Sequence, residues 1–389
     1  MTKARASYDG VGLFSPVTVP YQKTSEHGAA WFIARALAQM LETSGVQKSE
    51  IDGLAVSSFS LAPDTVSSLA EHFGLTLRWA EQIPLGGASG PIAARRAARA
   101  IQAGDAHVIA CIGADANRPG GFADLVGNFS TFSTDAVVPY GVAGPNAPFS
   151  LITQAYMDRT GATREDFGRL CVSQRTNAEA FEGALLRKPL TLDAYMDARP
   201  IAGPLHLFDC VMPCAGADGF LVASEERAAE AGAPFARILA GGEAHNAFPD
   251  DPIQERSGWS LFADELFADA GLTAADMDFL QTYDDYPVIV FLQMEAYGFC
   301  RPGEAAAFVA ETALTYDGGG LPHNTSGGQL SCGQAGAAGG YLGMAEGVRQ
   351  ICGAAGARQI GDARRGLVSG YGMVNYDRGL CSSGVILEG

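Results

Sequence analysis

Residues 44–54, SGVQKSEIDGL, return in altered form at residues 270–280, AGLTAADMDFL. Each stretch has a glycine, an aliphatic residue, three mostly polar residues, an acid, an aliphatic residue, an aspartate and then a hydrophobic run. The glycine is typical of a helix end, and the hydrophobic run predicts a buried strand that begins near Leu54 or Phe279. The repetition predicts two copies of one unit in which a helix leads into a strand.

The sequence on either side of the two copies repeats as well. Apolar residues at helical spacing precede each copy, at residues 29–41 and 259–270. A glycine-rich stretch follows each copy, GGASG at residues 86–90 and GGQLS at residues 327–331. Chance similarity of two ordinary βα units is the alternative to a duplication.

The glycine-rich stretches lead into helices crowded with small residues, at residues 93–100 and 335–343. Alanine and glycine allow helices to approach closely, so we expect both helices at the centre of a layered α/β structure. The second helix continues around residues 341–351. A strand is predicted after each helix, at residues 106–113 and 366–370.

The segment between the two copies has a different composition. About residues 117–205 it is rich in proline, glycine and aromatic residues, with one helical stretch near residues 153–180. We interpret it as an inserted loop domain that covers a site. The predicted domains are therefore residues 1–230, which include this loop domain, and residues 231–389.

Composition excludes several classes of function. The 389 residues carry 26 Lys+Arg against 43 Asp+Glu, a net charge of −17, which disfavours nucleic acid and a polybasic membrane anchor as partners. The sequence shows neither a membrane-spanning apolar run nor a signal peptide. Eight cysteines without paired spacing are typical of reduced residues, and no second Cys/His pair stands near Cys210 and Cys214. We expect a cytoplasmic protein without a metal site.

Three motifs carry a resemblance to a known family. They are residues 204–224, PLHLFDCVMPCAGADGFLVAS, the stretch Tyr283-Asp-Asp-Tyr286, and residues 323–336, HNTSGGQLSCGQAG. In order and spacing they resemble the thiolase superfamily over nearly the whole chain, nearest to its sterol-carrier-protein-type thiolases and lipid-transfer-protein relatives. The resemblance implies a thiolase fold, with the duplicated βα units in five αβαβα layers, and a homodimer joined along a strand edge.

The chain departs from the thiolase pattern at each titratable catalytic position. The cysteine that attacks the thioester in thiolases falls on Gly87, the histidine of their G-H-P motif on Gln334, and their second cysteine near Val368. Ser89 is interpreted as a helix cap, because a serine nucleophile needs an adjacent base. Ordinary thiolase activity is therefore not expected.

A branch of the same superfamily, the steroid side-chain aldolases, also lacks the cysteine. These proteins resemble the chain in having tyrosine at the position of Tyr283, and they have a second tyrosine in the G-H-P region, where Gln334 stands here. Tyr371, in a predicted Gly-Tyr-Gly turn, could compensate. The resemblance implies an acyl-CoA carbon–carbon lyase, an aldolase that breaks or forms the bond in a β-hydroxyacyl-CoA.

Aldol chemistry needs a base for the hydroxyl, an acid, and an oxyanion site for the thioester enolate, but no covalent intermediate. Tyr283 is the candidate acid or base, or else a buried phenol bonded to Asp284 or Asp285. Asp284 or Asp285 is a second candidate base if it is desolvated, although a helix N-cap is the preferred interpretation of Asp285. Asn324 could hold a water molecule or the carbonyl.

Two glycine turns are candidate oxyanion sites, because helix N-termini present backbone N–H groups. They are Gly86 with Gly87, and Gly327 with Gly328. Turns that need positive φ would also explain these glycines. His323 is near the second turn and is interpreted as structural more than catalytic.

No tightly bound cofactor is expected, and coenzyme A enters as part of the acyl-CoA substrate. The resemblance also implies a small zinc-ribbon/OB-fold partner protein. Two alternatives stay open. One is a catalytically silent thiolase-like subunit, or acyl-CoA or lipid-binding scaffold, of a heteromeric complex. The other is an acyltransferase with an unrecognised nucleophile, for which Cys332 in the second glycine-rich turn is the candidate, although a small buried thiol is the preferred interpretation.

Overall fold

The computed structural model describes residues 7–121, 130–142 and 144–389. The strands in these ranges are β1 (Val11–Gln22), β2 (Gly53–Ser57), β3 (Trp79–Gln82), β4 (Val108–Asp115), β5 (Pro200–Ala202), β6 (Leu205–His206), β7 (Ala215–Ser224), β8 (Arg237–His245), β9 (Phe279–Gln281), β10 (Arg365–Asn375) and β11 (Arg378–Glu388). The α-helices are α1 (Ala29–Ser44), α2 (Val66–Phe73), α3 (Ser89–Ala103), α4 (Thr131–Ala136), α5 (Asn146–Thr160), α6 (Arg164–Glu179), α7 (Leu192–Met196), α8 (Glu225–Glu230), α9 (Trp259–Ala270), α10 (Pro287–Ala296), α11 (Ala305–Glu311), α12 (Gly328–Cys332) and α13 (Gly339–Ile351).

Two sheets reproduce the duplication predicted from the sequence. The first has the order β1-β7-β4-β2-β3 and the second β8-β11-β10-β9, while β5 and β6 form a small separate pair. The strand of each repeated stretch, β2 or β9, pairs in parallel with the strand that follows the central helix, β4 or β10. The remaining neighbours of β4 and β10 are antiparallel. The two copies therefore share one pairing pattern, as the repeat predicts.

The helices complete five layers. Helices α3 and α13 pack against each other and lie between the two sheets, since each contacts strands of both. Helix α1 covers the outer face of the first sheet and α9 the outer face of the second. The αβαβα arrangement is confirmed. Its middle layer contains the two helices that the sequence marks with small residues.

The two central helices meet through glycine. A Cβ atom built on Gly90 would lie 2.0 Å from the carbonyl oxygen of Gly340, and one built on Gly340 would lie 2.6 Å from the carbonyl oxygen of Gly86. Both distances are shorter than a carbon–oxygen contact allows, so neither position accepts a side chain without moving the backbone. The contact brings the beginnings of α3 and α13 together at the centre of the molecule.

Two local predictions are corrected. The helical stretch of residues 153–180 is two helices, α5 and α6, because Gly161 is left-handed with φ of 77° and ends the first. The predicted Gly-Tyr-Gly turn around Tyr371 is the middle of strand β10, where Gly370 pairs with Ser383 and Gly372 pairs with Cys381. Ladder hydrogen bonds along the strand prevail over the local turn preference of glycine.

The predicted boundary after residue 230 lies between the two sheets, since α8 ends at Glu230 and β8 begins at Arg237. The division into domains stays a prediction. None of the helices in the described part of the chain combines the length and the apolar character that a membrane crossing requires.

The contact between the central helices predicts the effect of one methyl group. Gly90→Ala places a Cβ atom against the backbone of Gly340, so we expect the free energy of unfolding to fall by about 1–3 kcal/mol, as for other overpacked cores. Urea denaturation measures the loss. Gly361→Ala is the control, because a Cβ atom there has no neighbour within 4 Å, and its effect should stay within about 0.5 kcal/mol. Equal stability of the two variants would contradict the close contact.

Candidate active site

A pocket of about 1070 Å³, including the space at its mouth, opens where the loops of the two halves meet. Its floor is built from the start of α3, the loop between β9 and α10, the segment before α13 and the end of β10. Residues from 130–145, within the segment interpreted as a loop domain, line another side. Polar residues and glycines line the floor. They are Gly86, Gly87, Tyr283, Asp285, Tyr286, Gln334, Gly336 and Gly372.

The ring of Tyr283 fills the space beside Gly87. A Cβ atom on Gly87 would lie 2.0 Å from Cε2 of Tyr283 and 2.2 Å from the carbonyl oxygen of Tyr371. A cysteine side chain therefore does not fit at this position while Tyr283 is in place. Glycine at position 87 and tyrosine at position 283 are therefore sterically coupled, although the two residues lie in different halves of the chain.

Tyr283 is held at both ends. The amide of Gln293 accepts from the backbone N–H of Tyr283 at 3.3 Å and donates to its carbonyl at 2.7 Å. Nε2 of Gln334 donates to the phenol oxygen at 2.9 Å, so the partner of the phenol is Gln334 and not one of the adjacent aspartates. Burial raises the pKa of Tyr283 well above its usual value of about 10, and the charge of Asp285 adds to this shift. The phenol is therefore neutral at pH 7 and can donate its proton.

Asp284 faces away from the pocket, towards the start of the short helix α12. Its carboxylate accepts from the backbone N–H of Gln329 at 2.9 Å, from that of Leu330 at 3.3 Å and from Nε2 of Gln174 at 2.7 Å. Burial raises the pKa of Asp284 to about 7, against these hydrogen bonds. The structure gives this candidate base a positioning role, since it ties the loop after β9 to the second glycine turn.

Asp285 is the less favoured of the two candidate bases in the sequence, and the structure makes it the stronger one. It is not the N-cap of α10, because that position belongs to Tyr286, with Pro287 as the first helical residue. Asp285 lines the pocket, is 6% exposed, and its Oδ1 atom has no hydrogen-bond partner among the described residues. Burial, and next the charge of Asp284, raise the pKa of Asp285 well above its usual value. A position just before a Tyr-Pro helix start is typical of a cap, and no signal in the sequence marks the burial of this residue.

Asn324 and His323 lie outside this pocket and serve the loop beside it. Oδ1 of Asn324 accepts from the backbone N–H of Thr282 at 2.8 Å, while Nε2 of His323 is 2.8 Å from the Thr282 hydroxyl. His323 is fully buried, and burial lowers its pKa to about 3, so it is neutral. Oδ1 of Asn324 is occupied by this support of Thr282, whereas its Nδ2 has no partner among the described residues, and the role of Asn324 toward a water molecule or the carbonyl stays a prediction.

The two glycine turns have different surroundings. Gly86 and Gly87 line the pocket. Gly327 and Gly328 do not: the N–H of Gly327 donates to the carbonyl of Asn324 at 2.7 Å, and a Cβ atom on Gly328 would lie 2.1 Å from Oδ2 of Asp284. The second turn is therefore packed against Asp284 outside this pocket, and its role as an oxyanion site stays a prediction.

Two candidate nucleophiles are buried away from the pocket. The Ser89 hydroxyl donates to the carbonyl of Ile83 at 3.1 Å, so Ser89 is neither a nucleophile in the pocket nor a helix cap, and α3 has no side-chain cap. The Cys332 thiol donates to the carbonyl of Ser326 at 3.0 Å. Burial raises the pKa of Cys332 well above its usual value, which disfavours the thiolate that nucleophilic attack requires.

Tyr371 does not supply a second phenol to the pocket. Its hydroxyl donates to Oε1 of Gln254 and accepts from the backbone N–H of Gly379 at 2.7 Å, on the side of the sheet where it packs against Trp259. The reason is the strand: because Tyr371 lies within β10, the alternation of side chains fixes its direction. Its ring still lies near that of Tyr283, with 6.4 Å between the centroids.

Comparisons with known proteins identify relatives of the chain. Residues 244–381 match the family model described as "Thiolase C-terminal domain-like". The chain is 31% identical over 375 residues to 17-hydroxy-3-oxo-4-pregnene-20-carboxyl-CoA lyase of Mycobacterium tuberculosis, covering 91% of this chain and 93% of the relative. It is 30% identical over 385 residues to a steroid side-chain-cleaving aldolase of Thermomonospora curvata, and the match covers 94% of this chain and 95% of the relative. The solved structure of an Ltp2-ChsH2(DUF35) aldolase superposes with a TM-score of 0.83 at 28% identity, covering 97% of each chain.

The contact between Gly87 and Tyr283 gives a prediction that needs no ligand. Gly87→Ala should lower the free energy of unfolding by at least about 1–3 kcal/mol, the usual range for overpacking, because the added atom meets the Tyr283 ring and the Tyr371 backbone. In a Tyr283→Ala background the ring is gone and only the backbone clash remains, so the loss should be smaller. A double-mutant cycle from urea denaturation measures the coupling. Equal losses in both backgrounds would show that the ring does not occupy this space.

Proposed function

The chain belongs to the thiolase superfamily, in the branch of the steroid side-chain aldolases, and on that premise we propose that it is an acyl-CoA carbon–carbon lyase that cleaves a β-hydroxyacyl-CoA by a retro-aldol reaction. The observation that carries this proposal is the Tyr283 ring against Gly87. It puts a neutral phenol, bonded to Gln334, where the superfamily's nucleophilic thiol would stand.

The reaction balances without a covalent intermediate. A base takes the proton of the β-hydroxyl group, the oxygen forms a carbonyl, and the bond between the α- and β-carbons breaks. Its electron pair passes to the α-carbon and the thioester carbonyl as an enolate, and an acid then protonates the α-carbon. The products are an aldehyde or ketone and a shorter acyl-CoA.

Tyr283 is our candidate for the acid. Its oxygen accepts the hydrogen bond from Gln334, and the phenol keeps one hydrogen of its own to donate. A phenol whose pKa is raised by burial holds its proton at neutral pH and gives it up only to a strong base such as an enolate. Gly86 and Gly87, at the start of α3, line the same floor and are candidates for backbone donors to the enolate oxygen.

The lining of the pocket favours a bulky apolar acyl group. Away from the floor, the side chains are mostly aliphatic, aromatic or thioether groups. These residues are Phe59, Val137, Val138, Val142, Val211, Met373, Val374 and Tyr376. Burial of an apolar substrate against them would be favoured at about 25 cal/mol per Å² of area. We therefore propose an alicyclic or aromatic substituent on the β-carbon, with coenzyme A as part of the substrate.

The proposed assembly follows the relatives. The structurally similar Ltp2-ChsH2(DUF35) aldolase joins an aldolase to a DUF35 protein by name, and we propose a partner of that kind for this chain, which supports the expectation of a small partner protein. We also propose a homodimer in which the edge strand β3 of one subunit faces that of the other. A cytoplasmic location remains part of the proposal.

The role of Tyr283 is tested by removing its hydroxyl group alone. Tyr283→Phe keeps the ring against Gly87 but removes the proton donor, so kcat should fall by about 10²–10⁴-fold, the usual contribution of a general acid. The assay follows release of the shorter acyl-CoA from 17-hydroxy-3-oxo-4-pregnene-20-carboxyl-CoA and from 3-hydroxy-3-phenylpropanoyl-CoA, with a DUF35 partner present.

Tyr297→Phe is the matched control. Its hydroxyl is buried but donates to the carbonyl of Ser383 at 3.2 Å, outside the pocket, so cleavage should stay near that of the unaltered protein. Full activity of the Tyr283→Phe variant would show that Tyr283 has no catalytic role. Absence of turnover by the unaltered protein with both substrates would favour the silent-subunit alternative.

Turnover should not depend on a thiol. Cys332→Ala removes a side chain that donates only to the carbonyl of Ser326, and cleavage should proceed at the rate of the unaltered protein. Treatment with iodoacetamide before the assay tests the remaining cysteines in the same way. Loss of turnover in Cys332→Ala, with thermal stability retained, would instead favour an acyltransferase-type nucleophile.

A further inference from the structure

We propose that Asp285 is the catalytic base of this reaction and takes the proton from the β-hydroxyl group of the acyl-CoA. The inference rests on the proposed function, because it assigns a residue to one step of the retro-aldol cleavage. The sequence leaves Asp285 open between a desolvated base and a helix cap, so the choice depends on what the structure places around the carboxyl group.

The position of Asp285 suits a base. It lies in the loop between Tyr283 and the helix start at Tyr286, and all three residues line the pocket. The residue is 6% exposed, with Oδ1 unpartnered among the described residues. A buried carboxylate oxygen without a donor is costly, and such groups persist in proteins chiefly where function needs them.

The other buried acids in the described ranges differ in this respect. Each is bonded through its carboxylate to backbone N–H groups, hydroxyl groups, amides or arginines. Asp284 is bonded to two backbone N–H groups, Asp218 to Thr18, and Glu346 to Arg349. A buried oxygen without a partner occurs only at Asp285 within this set. Among these buried acids, Asp285 is therefore the one with an oxygen left open to a ligand.

The surroundings of Asp285 strengthen it as a base. Asp284 is the adjacent negative charge, and the other titratable groups whose electrostatics it shares are Tyr283, Tyr286, Cys210 and Tyr371. Burial raises the pKa of all four, so they are neutral at pH 7. None of these side chains can carry a positive charge that would stabilise the Asp285 carboxylate. The backbone N–H groups of Asp285 and Tyr286 oppose the rise in the pKa of Asp285 without cancelling it.

The two residues divide the proton transfers. Asp285 accepts the hydroxyl proton as the carbon–carbon bond breaks and the carbonyl forms. Tyr283 donates its proton to the α-carbon of the enolate and becomes a phenolate. The proton on Asp285 then passes to this phenolate, directly or through a water molecule, and both groups return to their starting forms. No oxidant, reductant or co-reactant is consumed.

The test compares Asp285→Asn with Asp284→Asn in the same cleavage assay with 3-hydroxy-3-phenylpropanoyl-CoA, over a range of pH. In the unaltered protein kcat/KM should fall with decreasing pH as Asp285 becomes protonated, at a pH above the usual carboxyl pKa of about 3.9. Asp285→Asn should lower kcat by about 10²–10⁴-fold and remove this acidic limb. Asp284→Asn removes the neighbouring negative charge, so the limb should remain and move to lower pH.

Thermal unfolding separates a base from a structural carboxylate. A carboxyl group whose pKa is raised in the folded state destabilises that state once the pH exceeds the pKa of the unfolded chain. Asp285→Asn should therefore match or exceed the melting temperature of the unaltered protein at neutral pH, and any gain should vanish below about pH 4. A lower melting temperature, or failure to fold, would give Asp285 a structural role and contradict the proposal.

The outcomes also separate this inference from the proposed function. If the unaltered protein cleaves the substrate but Asp285→Asn keeps its kcat or its acidic limb, Asp285 is not the base, and the aldolase function stands. If the unaltered protein does not cleave either β-hydroxyacyl-CoA, the proposed function itself is overturned.

Discussion

The contact between the Tyr283 ring and the α-carbon of Gly87 is the constraint on which the site depends. The glycine comes from the first half of the chain and the tyrosine from the second, and the space beside Gly87 does not accept both the ring and a side chain. Because the ring fills the space of a side chain, the phenol oxygen reaches the floor of the pocket and the bond from Gln334. The exchange of a thiol for a phenol changes the accessible chemistry from nucleophilic attack to proton transfer.

The layered fold makes that contact possible. Gly90 and Gly340 let the two central helices touch along their backbones, so the beginnings of both helices meet at one pocket. Asp284 then joins the loop after β9 to the start of α12, and Gln293 holds Tyr283 by both of its backbone groups. The phenol of Tyr283, the acid in our proposal, is therefore positioned by buried hydrogen bonds on its backbone side.

Much of the fold could be predicted from the repeat, and less of the site. Gly45 and Gly271 end their helices in the left-handed conformation, as the repeated pattern predicts, because helix ends are determined locally. The structure also brings together Tyr283 and Gln334, which the motifs mark as positions of the altered catalytic set. The unpartnered Oδ1 atom of Asp285 could not be predicted from the sequence, since burial and the absence of a partner depend on tertiary packing. The direction of the Tyr371 side chain could not be predicted for a similar reason, because strand pairing fixes it.

Intact-protein mass spectrometry during steady-state cleavage of a β-hydroxyacyl-CoA distinguishes proton transfer from covalent catalysis. The sample is quenched while product is being released, so that any covalent intermediate on the turnover path is captured. With a phenol in place of the thiol, the shorter acyl-CoA should accumulate while the chain keeps the mass of its unmodified sequence. An acyl group attached to the chain, forming and decaying at the rate of turnover, would show that the reaction passes through a covalent intermediate after all.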